Sequence, residues 1–181
     1  MGTFNSDSGN MMGLWGDIDG TYYTANWGED KVRKFSDKGS NQIWEYSMGT
    51  TAGAICSDAN YAYAMRNSGD TVWKLNKATG QLVDTFSLPG ASGTQGGLIC
   101  TQGRFYYTDS GGSASYYDAN SHQQLGTFSF GTSANNVSFD GSVIYVSPNS
   151  SNVTRYQIVD GNIYEPGGSG GDGGAGWVLE K

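Results

Sequence analysis

The sequence has few charged residues, few prolines and almost no histidine or cysteine. Charged residues make up 15% of the 181 residues, and the chain contains three prolines, two cysteines and one histidine. So few imidazoles and thiols exclude a site built from several histidines or from Cys-x-x-Cys motifs. Because proline is scarce and aromatic residues reach 13%, the composition is also unlike that of a disordered chain.

Basic residues are scarce as well, which argues against a nucleic-acid partner. The formal net charge is −7, and the ten Lys and Arg residues are spread along the whole chain. Binding to a phosphate backbone needs a basic stripe that releases counterions. No segment approaches the roughly 18 apolar residues that cross a bilayer, so we expect no membrane insertion.

Residues 1–7 lack both a basic region and an apolar core, and therefore do not resemble a secretory signal. We expect synthesis in a cytoplasm without a signal peptide. Release by lysis, for example as part of a virus particle, would still place the protein on a virion or an extracellular surface.

What the sequence does contain is a fourfold repeat. Val32, Val72, Ala114 and Val153 occupy equivalent positions that are 40, 42 and 39 residues apart. Each repeat begins with a short apolar run, followed by a polar turn and a Tyr-rich strand. The first strands are predicted at 13–15, 53–56, 97–100 and 136–139, the third strands at 31–35, 71–75, 113–117 and 152–156, and fourth strands at 42–46, 82–86 and 125–128.

The pattern of these segments is that of strands rather than helices. They alternate, they are rich in β-branched and aromatic residues, and no window has helical spacing. Four strands in about forty residues are typical of a β-propeller blade. We therefore predict an all-β propeller of four four-stranded blades, at about 13–51, 52–95, 96–135 and 136–165.

The third strands carry the motif Val-x-[Lys/Arg]-[Phe/Leu]. With a following turn such as Asn76-Lys77-Ala78-Thr79-Gly80 and an outer strand, this motif resembles the blades of the broad YVTN, NHL and quinoprotein-like propeller group. The resemblance covers most of residues 13–165, and neither the Trp-Asp dipeptide of WD repeats nor a kelch pattern recurs. It implies the fold and almost nothing about activity.

The N-terminus repeats the sequence of an outer strand. Gly2-Thr3-Phe4 matches residues 84–86 and 126–128. Because a ring of sheets must not leave free edges, we predict that residues 1–6 form a closing strand that pairs with the last blade. The propeller would then span residues 1–165.

The C-terminus, residues 166–181, is predicted to be a Gly-rich tether. Its apolar segment Trp177-Val178-Leu179 resembles the first strand of a fifth repeat. We predict that this segment docks on a protein partner by adding as a strand to a neighbouring sheet. The alternative is that the tail packs on its own propeller or is disordered.

Cys56 and Cys100 lie in matching apolar runs, 54–56 and 98–100. We expect buried free thiols, because a disulfide needs Cα atoms within about 7 Å, a distance that equivalent positions of neighbouring repeats usually exceed. His122 precedes the fourth strand of the third repeat and is expected to be an exposed loop residue.

No catalytic residue, metal site or other cofactor site is predicted. Asp17-Ile18-Asp19-Gly20 faintly resembles a calcium loop, but the matching corners of the other repeats lack the second carboxylate. An ordinary turn explains it. Residues 167–172 begin like a calcium-binding nonapeptide but occur only once, which favours a linker.

These features favour a non-enzymatic structural or adhesive propeller that docks on a larger assembly, such as a phage decoration, spike or tail protein. One alternative is a carbohydrate-binding propeller, a lectin or receptor-binding head. Trp27 is then the best candidate for an aromatic that faces a glycan, since Trp44 and Trp73 occupy strand positions. A calcium-dependent propeller hydrolase is a weaker alternative. Four blades could close alone, or two chains could form an eight-bladed homo-oligomer.

Overall fold

The computed structural model describes residues 11–36, 41–91, 97–130, 136–147 and 153–164, which form sixteen strands and no helix. The strands build four antiparallel sheets of four strands each, paired in chain order. The prediction of an all-β propeller with four four-stranded blades is confirmed. No helix in the described part of the chain is long and apolar enough to cross a membrane.

Each blade takes four consecutive strands. Blade 1 contains β1 (Met11–Gly16), β2 (Tyr22–Asn26), β3 (Lys31–Phe35) and β4 (Gln42–Ser47). Blade 2 contains β5 (Ala52–Ser57), β6 (Tyr61–Arg66), β7 (Thr71–Asn76) and β8 (Leu82–Ser87). Blade 3 contains β9 (Leu98–Thr101), β10 (Arg104–Thr108), β11 (Ser113–Asp118) and β12 (Gln124–Ser129). Blade 4 contains β13 (Asn136–Phe139), β14 (Val143–Ser147), β15 (Thr154–Val159) and β16 (Asn162–Tyr164).

The outer strand of blade 4 was not identified from the sequence. It is β16, which pairs with the last residues of β15 across a tight turn at Asp160 and Gly161. The predicted closing strand at residues 1–6 and the tail at 166–181 lie outside the described residues. Both therefore stay predictions.

An aspartate-based turn joins the first two strands of blades 2 and 4. Asp58 accepts hydrogen bonds from the backbone N–H groups of Asn60 and Tyr61, both at 2.8 Å, and from the Tyr63 hydroxyl at 2.7 Å. Asp140 makes the same set of bonds in blade 4. Its bond from the Tyr145 hydroxyl, with those from the backbone, lowers the pKa of Asp140 to about 2. Such turns hold the strand ends in register.

Three hydrophobic clusters lie between consecutive blades, and we call these interfaces seams 1/2, 2/3 and 3/4. Trp15, on the innermost strand β1, packs against all three clusters. Its ring also stacks on that of Phe139 in blade 4, with the centroids 6.2 Å apart. Trp15 therefore makes contacts that link all four blades.

Blade 4 differs from the others because only one of its faces is buried. Ile144, Val146 and Tyr156 face seam 3/4 and are almost inaccessible, whereas Arg155 and Gln157 on the other face are exposed. Within the described ranges, no fourth hydrophobic cluster joins blade 4 to blade 1. The stacked pair of Trp15 and Phe139 is an aromatic contact between these two blades.

Cys56 and Cys100 form a disulfide across seam 2/3, with their Cα atoms 5.8 Å apart, so the expectation of free thiols is wrong. The strand registers explain the error. Asp84 and Gly126 occupy equivalent positions in the outer strands of blades 2 and 3. The series of cross-strand pairs that runs inward across blade 2 from Asp84 ends at Cys56. The corresponding series across blade 3 from Gly126 ends at Ile99. Cys100 therefore lies one residue beyond the position equivalent to Cys56. Because successive side chains of a strand point to opposite faces of the sheet, this offset turns Cys100 toward blade 2. Its sulfur therefore meets that of Cys56.

Candidate functional site

Three turns of blades 1 and 2 converge at one end of seam 1/2. They are the β1–β2 turn, the β5–β6 turn and the β7–β8 turn. Between them lies an open groove of about 690 Å³, which we call the turn groove. The lining residues used below are Ile18, Asp19, Lys34, Ala59, Asn60, Lys77 and Ala78.

Lys77 ties the three turns together. Its Nζ lies 2.7 Å from Asp17 Oδ2 and donates to the Asp58 carbonyl at 2.9 Å. Its backbone N–H donates to the Asn60 carbonyl at 3.0 Å, and its carbonyl accepts from Trp44 Nε1 at 3.0 Å. Since every polar group of Lys77 is bonded, the turns are held firmly in place.

The segment with the faint calcium-loop pattern is an ordinary turn closed by Gly20 N–H donating to the Asp17 carbonyl. The nearly buried Asp17 carboxylate accepts from Ser57 Oγ at 2.6 Å, besides pairing with Lys77. Within the described residues, no three His, Cys, Asp or Glu side chains are grouped as metal ligands. The Asp17 charge is thus compensated by donors from blade 2, as burial requires.

Lys34 projects into the turn groove from β3, with its side chain only 8% exposed. Its Nζ lies 3.7 Å from Asp19 Oδ2, 3.3 Å from the Lys77 carbonyl and 5.4 Å from the centroid of the Tyr23 ring. An ammonium group has three N–H donors, and the contacts of Lys34 are long. Hydrogen-bonding capacity therefore remains in the groove.

Asp19 is the acceptor that faces Lys34. Its Oδ1 accepts from the backbone N–H of Thr21 at 2.9 Å and from the Thr21 hydroxyl. Burial opposes ionisation, but the bonds from Thr21 and the charges of Lys34 and Lys77 outweigh it, so the pKa of Asp19 lies below its ordinary value. At neutral pH the groove thus holds a carboxylate beside an ammonium group.

Trp44 and Tyr23 form the packed layer below the groove. The Trp44 ring lies against Gly80, where φ is +72° and a Cβ atom would come within 2.7 Å of Trp44 Cδ2. Only glycine fits this turn position. Tyr23 is fully buried with its ring 5.7 Å from that of Trp44, and burial, with the nearby Asp17 carboxylate, raises the pKa of its hydroxyl.

Trp27, the predicted ligand-facing aromatic, is 43% exposed in the β2–β3 turn. That turn is fixed by Asn26 Oδ1, which accepts from the N–H groups of Gly28 and Glu29. Because β2 has Trp27 beyond one end and the β1–β2 turn at the other, Trp27 lies away from the turn groove. Trp44 is buried, in keeping with its strand position.

His122 is not the exposed loop residue that we expected. Its ring stacks on Phe86 across seam 2/3, with centroids 3.7 Å apart and an interplanar angle of 5°. Burial lowers the pKa of His122 by more than the nearby Asp84 carboxylate raises it. The sequence places Phe86 on an outer strand of another repeat, so the contact could be found only from the packing of blades.

The predicted docking residues Trp177, Val178 and Leu179 lie outside the described residues, and their role stays a prediction. Sequence reasoning missed the turn groove. Lys77 was noticed within the turn 76–80, but only as part of the blade motif. Lys34 belongs to the third-strand motif, and nothing in the repeat indicates that the two lysines meet.

No family model and no curated protein matches the chain. Among solved structures, it is similar to Myxococcus xanthus glutaminyl cyclase, with a TM-score of 0.69 and 18% identity over 86% of this chain and 68% of that one. The computationally designed Ika4 protein follows, with a TM-score of 0.59 and 12% identity over 87% of this chain and 96% of that one.

BamB from Moraxella catarrhalis gives a TM-score of 0.56 and 11% identity over 88% of this chain, which spans 50% of BamB. Identities this low show a shared fold alone. With four sheets of four antiparallel strands in chain order, the chain is a four-bladed β-propeller.

Proposed function

We propose that the chain is a non-enzymatic structural or adhesive module that docks on a larger assembly, such as a phage decoration, spike or tail. The observation that carries this proposal is the packing around the inner strands. Trp15 contacts the clusters of all three seams, Phe139 stacks on it, and the Cys56–Cys100 disulfide links two neighbouring inner strands. The turns and edges of such a propeller are surfaces through which it can dock.

A location outside the reducing cytosol is part of this proposal. Disulfides persist in oxidising surroundings and are rare in cytosolic proteins. The Cys56–Cys100 disulfide therefore supports a virion or extracellular surface as the place where the protein works. The many glycines, 29 of 181 residues, and the low content of charge suit a repetitive surface protein.

Because the fold is similar to that of glutaminyl cyclase, the non-enzymatic part of the proposal is tested by an assay for glutaminyl cyclase activity. The purified chain is incubated with a peptide that carries an N-terminal glutamine, and ammonia release is followed with and without added calcium. We expect no release above the buffer control. Turnover that depends on the protein concentration would overturn the assignment as a non-enzyme.

We further propose that Trp177, Val178 and Leu179 are the docking strand, toward a partner protein or a second copy of the chain. The test compares the full chain with Trp177→Ser/Leu179→Ser by mass photometry, with Trp27→Ser as the control. We expect oligomers in the parent and the control, and monomers in the double variant. Equal mass distributions for all three would refute docking through this strand between copies.

Carbohydrate binding is the second candidate function. Exposure of Trp27 supports it, because an aromatic face on the surface can stack on the C–H face of a sugar. A glycan array probed with the full chain tests this candidate. A silent array would remove it and leave the structural role in place.

A further inference from the structure

The turn groove contains hydrogen-bonding groups that the fold does not use. Lys34 Nζ is held only at 3.3 Å by the Lys77 carbonyl and at 3.7 Å by Asp19. Asn60 is exposed and takes part in the turns through its backbone, while no described residue bonds its side-chain amide. Ammonium, carboxylate and amide thus face one open space with donors and acceptors to spare.

The charges in the groove are balanced. Lys77 lies 2.7 Å from Asp17, and Lys34 faces Asp19. A site for phosphate or another anion would leave its cations uncompensated until the ligand arrives, but here each lysine already has a carboxylate. Balanced donors and acceptors suit hydroxyl groups, because each hydroxyl both donates and accepts.

Apolar groups complete the lining. Ile18 is fully exposed at the tip of the β1–β2 turn, and Ala59 and Ala78 also line the groove. A few polar groups among apolar ones are typical of small-molecule sites. The groove volume of about 690 Å³ lies within the roughly 300–1,000 Å³ of such sites.

We propose that the turn groove binds a neutral, hydroxyl-rich ligand, namely a saccharide. Lys34 donates to one hydroxyl, Asp19 accepts from another, and the Asn60 amide orients a third. Ile18 contacts the C–H face of the sugar ring. The proposal rests on the carbohydrate-binding candidate and moves its site from Trp27 to the opposite end of β2.

The test is a glycan array probed with the full chain and with four single variants. Asn60→Ala and Lys34→Met remove groups of the groove. Trp27→Ala removes the other candidate aromatic, and Asn120→Ala is the matched control, since Asn120 is an exposed turn asparagine in blade 3. We expect binding to fall about tenfold or more in both groove variants and to stay unchanged in the two others.

Three outcomes would overturn the inference. Loss of binding in Trp27→Ala alone would place the site at Trp27 and keep the carbohydrate-binding candidate. Binding that survives in both groove variants would exclude the turn groove. An array without any signal would exclude both the saccharide site in the turn groove and the carbohydrate-binding candidate. Because Asn60 is exposed, Asn60→Ala gives a clear result even where far-UV circular dichroism shows that Lys34→Met has lost its fold.

Discussion

Seams 1/2 and 2/3 join blades of the same architecture by different chemistry. Seam 2/3 is aromatic: the Phe105 ring lies 4.9 Å from Tyr63 and 5.5 Å from Phe86, and the Cys56–Cys100 disulfide crosses it. Seam 1/2 packs the Tyr23 and Trp44 rings against several alanines and is fastened at one end by hydrogen bonds and ion pairs.

The turn groove lies at the end of seam 1/2. In seam 2/3 large rings fill the interface, and the disulfide holds the inner strands together. In seam 1/2 the small residues Ala25, Ala62 and Ala64 bring the sheets together, and the turns carry long polar side chains that leave the turn groove between them. The turns at the end of seam 1/2 therefore leave room for a ligand, and the disulfide reinforces seam 2/3.

The largest expected effect comes from emptying the aromatic seam. Phe105 is almost fully buried, so Phe105→Ala should lower the free energy of unfolding by about 3–5 kcal/mol. Urea denaturation followed by tyrosine and tryptophan fluorescence measures this change. Trp27→Ala, at an exposed position, should change it by less than about 0.5 kcal/mol. A loss below about 1 kcal/mol for Phe105→Ala would mean that seam 2/3 is not the stabilising interface.

Removing the disulfide should have the next largest effect. Cys56 and Cys100 are 44 residues apart, and closing a loop of that length stabilises a fold by about 2–4 kcal/mol. We expect Cys56→Ala/Cys100→Ala to unfold at a correspondingly lower urea concentration. A reducing agent should shift the parent to the same midpoint and leave the double variant unchanged. A parent that does not respond to reduction would indicate free thiols.

The disulfide also shows how far the sequence could predict this molecule. The repeat located the strands other than β16 because alternation and turn residues act locally along the chain. The partner of Cys56 could not be found in this way. Matching the runs 54–56 and 98–100 gave Cys100 the same face as Cys56, and only the register of the hydrogen-bonded pairs reveals the offset of one residue.

The turn groove depends even more on packing. Asp17, Asn60 and Lys77 belong to three separate turns, and their meeting depends on how blade 2 docks on blade 1. A repeat pattern describes each blade but not the contacts between blades. The outer strand β16 was missed for a local reason, since its three residues are too short a segment to recognise.

Breaking the ion pair at the end of seam 1/2 should lower the free energy of unfolding by a smaller amount. The loss should depend on whether the charge of Asp17 stays paired. Lys77→Met leaves the nearly buried Asp17 carboxylate without its cation, so we expect a loss of about 1–3 kcal/mol in the free energy of unfolding. Adding Asp17→Asn should recover part of this loss, because the uncompensated charge is removed. Urea denaturation of the single and double variants forms the thermodynamic cycle. Additive effects would contradict a coupled pair.

The smallest effect concerns His122 and the pH dependence of seam 2/3. Burial against Phe86 lowers the pKa of His122 below its ordinary value near 6.5, so the folded protein binds this proton less readily than the unfolded chain. Stability from this group is therefore full above about pH 6.5 and is lost as the pH falls through the unfolded value toward the lower folded one. His122→Asn tolerates the positive φ of 59° and removes the titrating ring. Urea midpoints measured between pH 5 and 8 should fall more steeply with decreasing pH in the parent than in His122→Asn. Equal slopes would mean that the ring titrates alike in the folded and unfolded states. The contact between blades 2 and 3 would then not respond to pH.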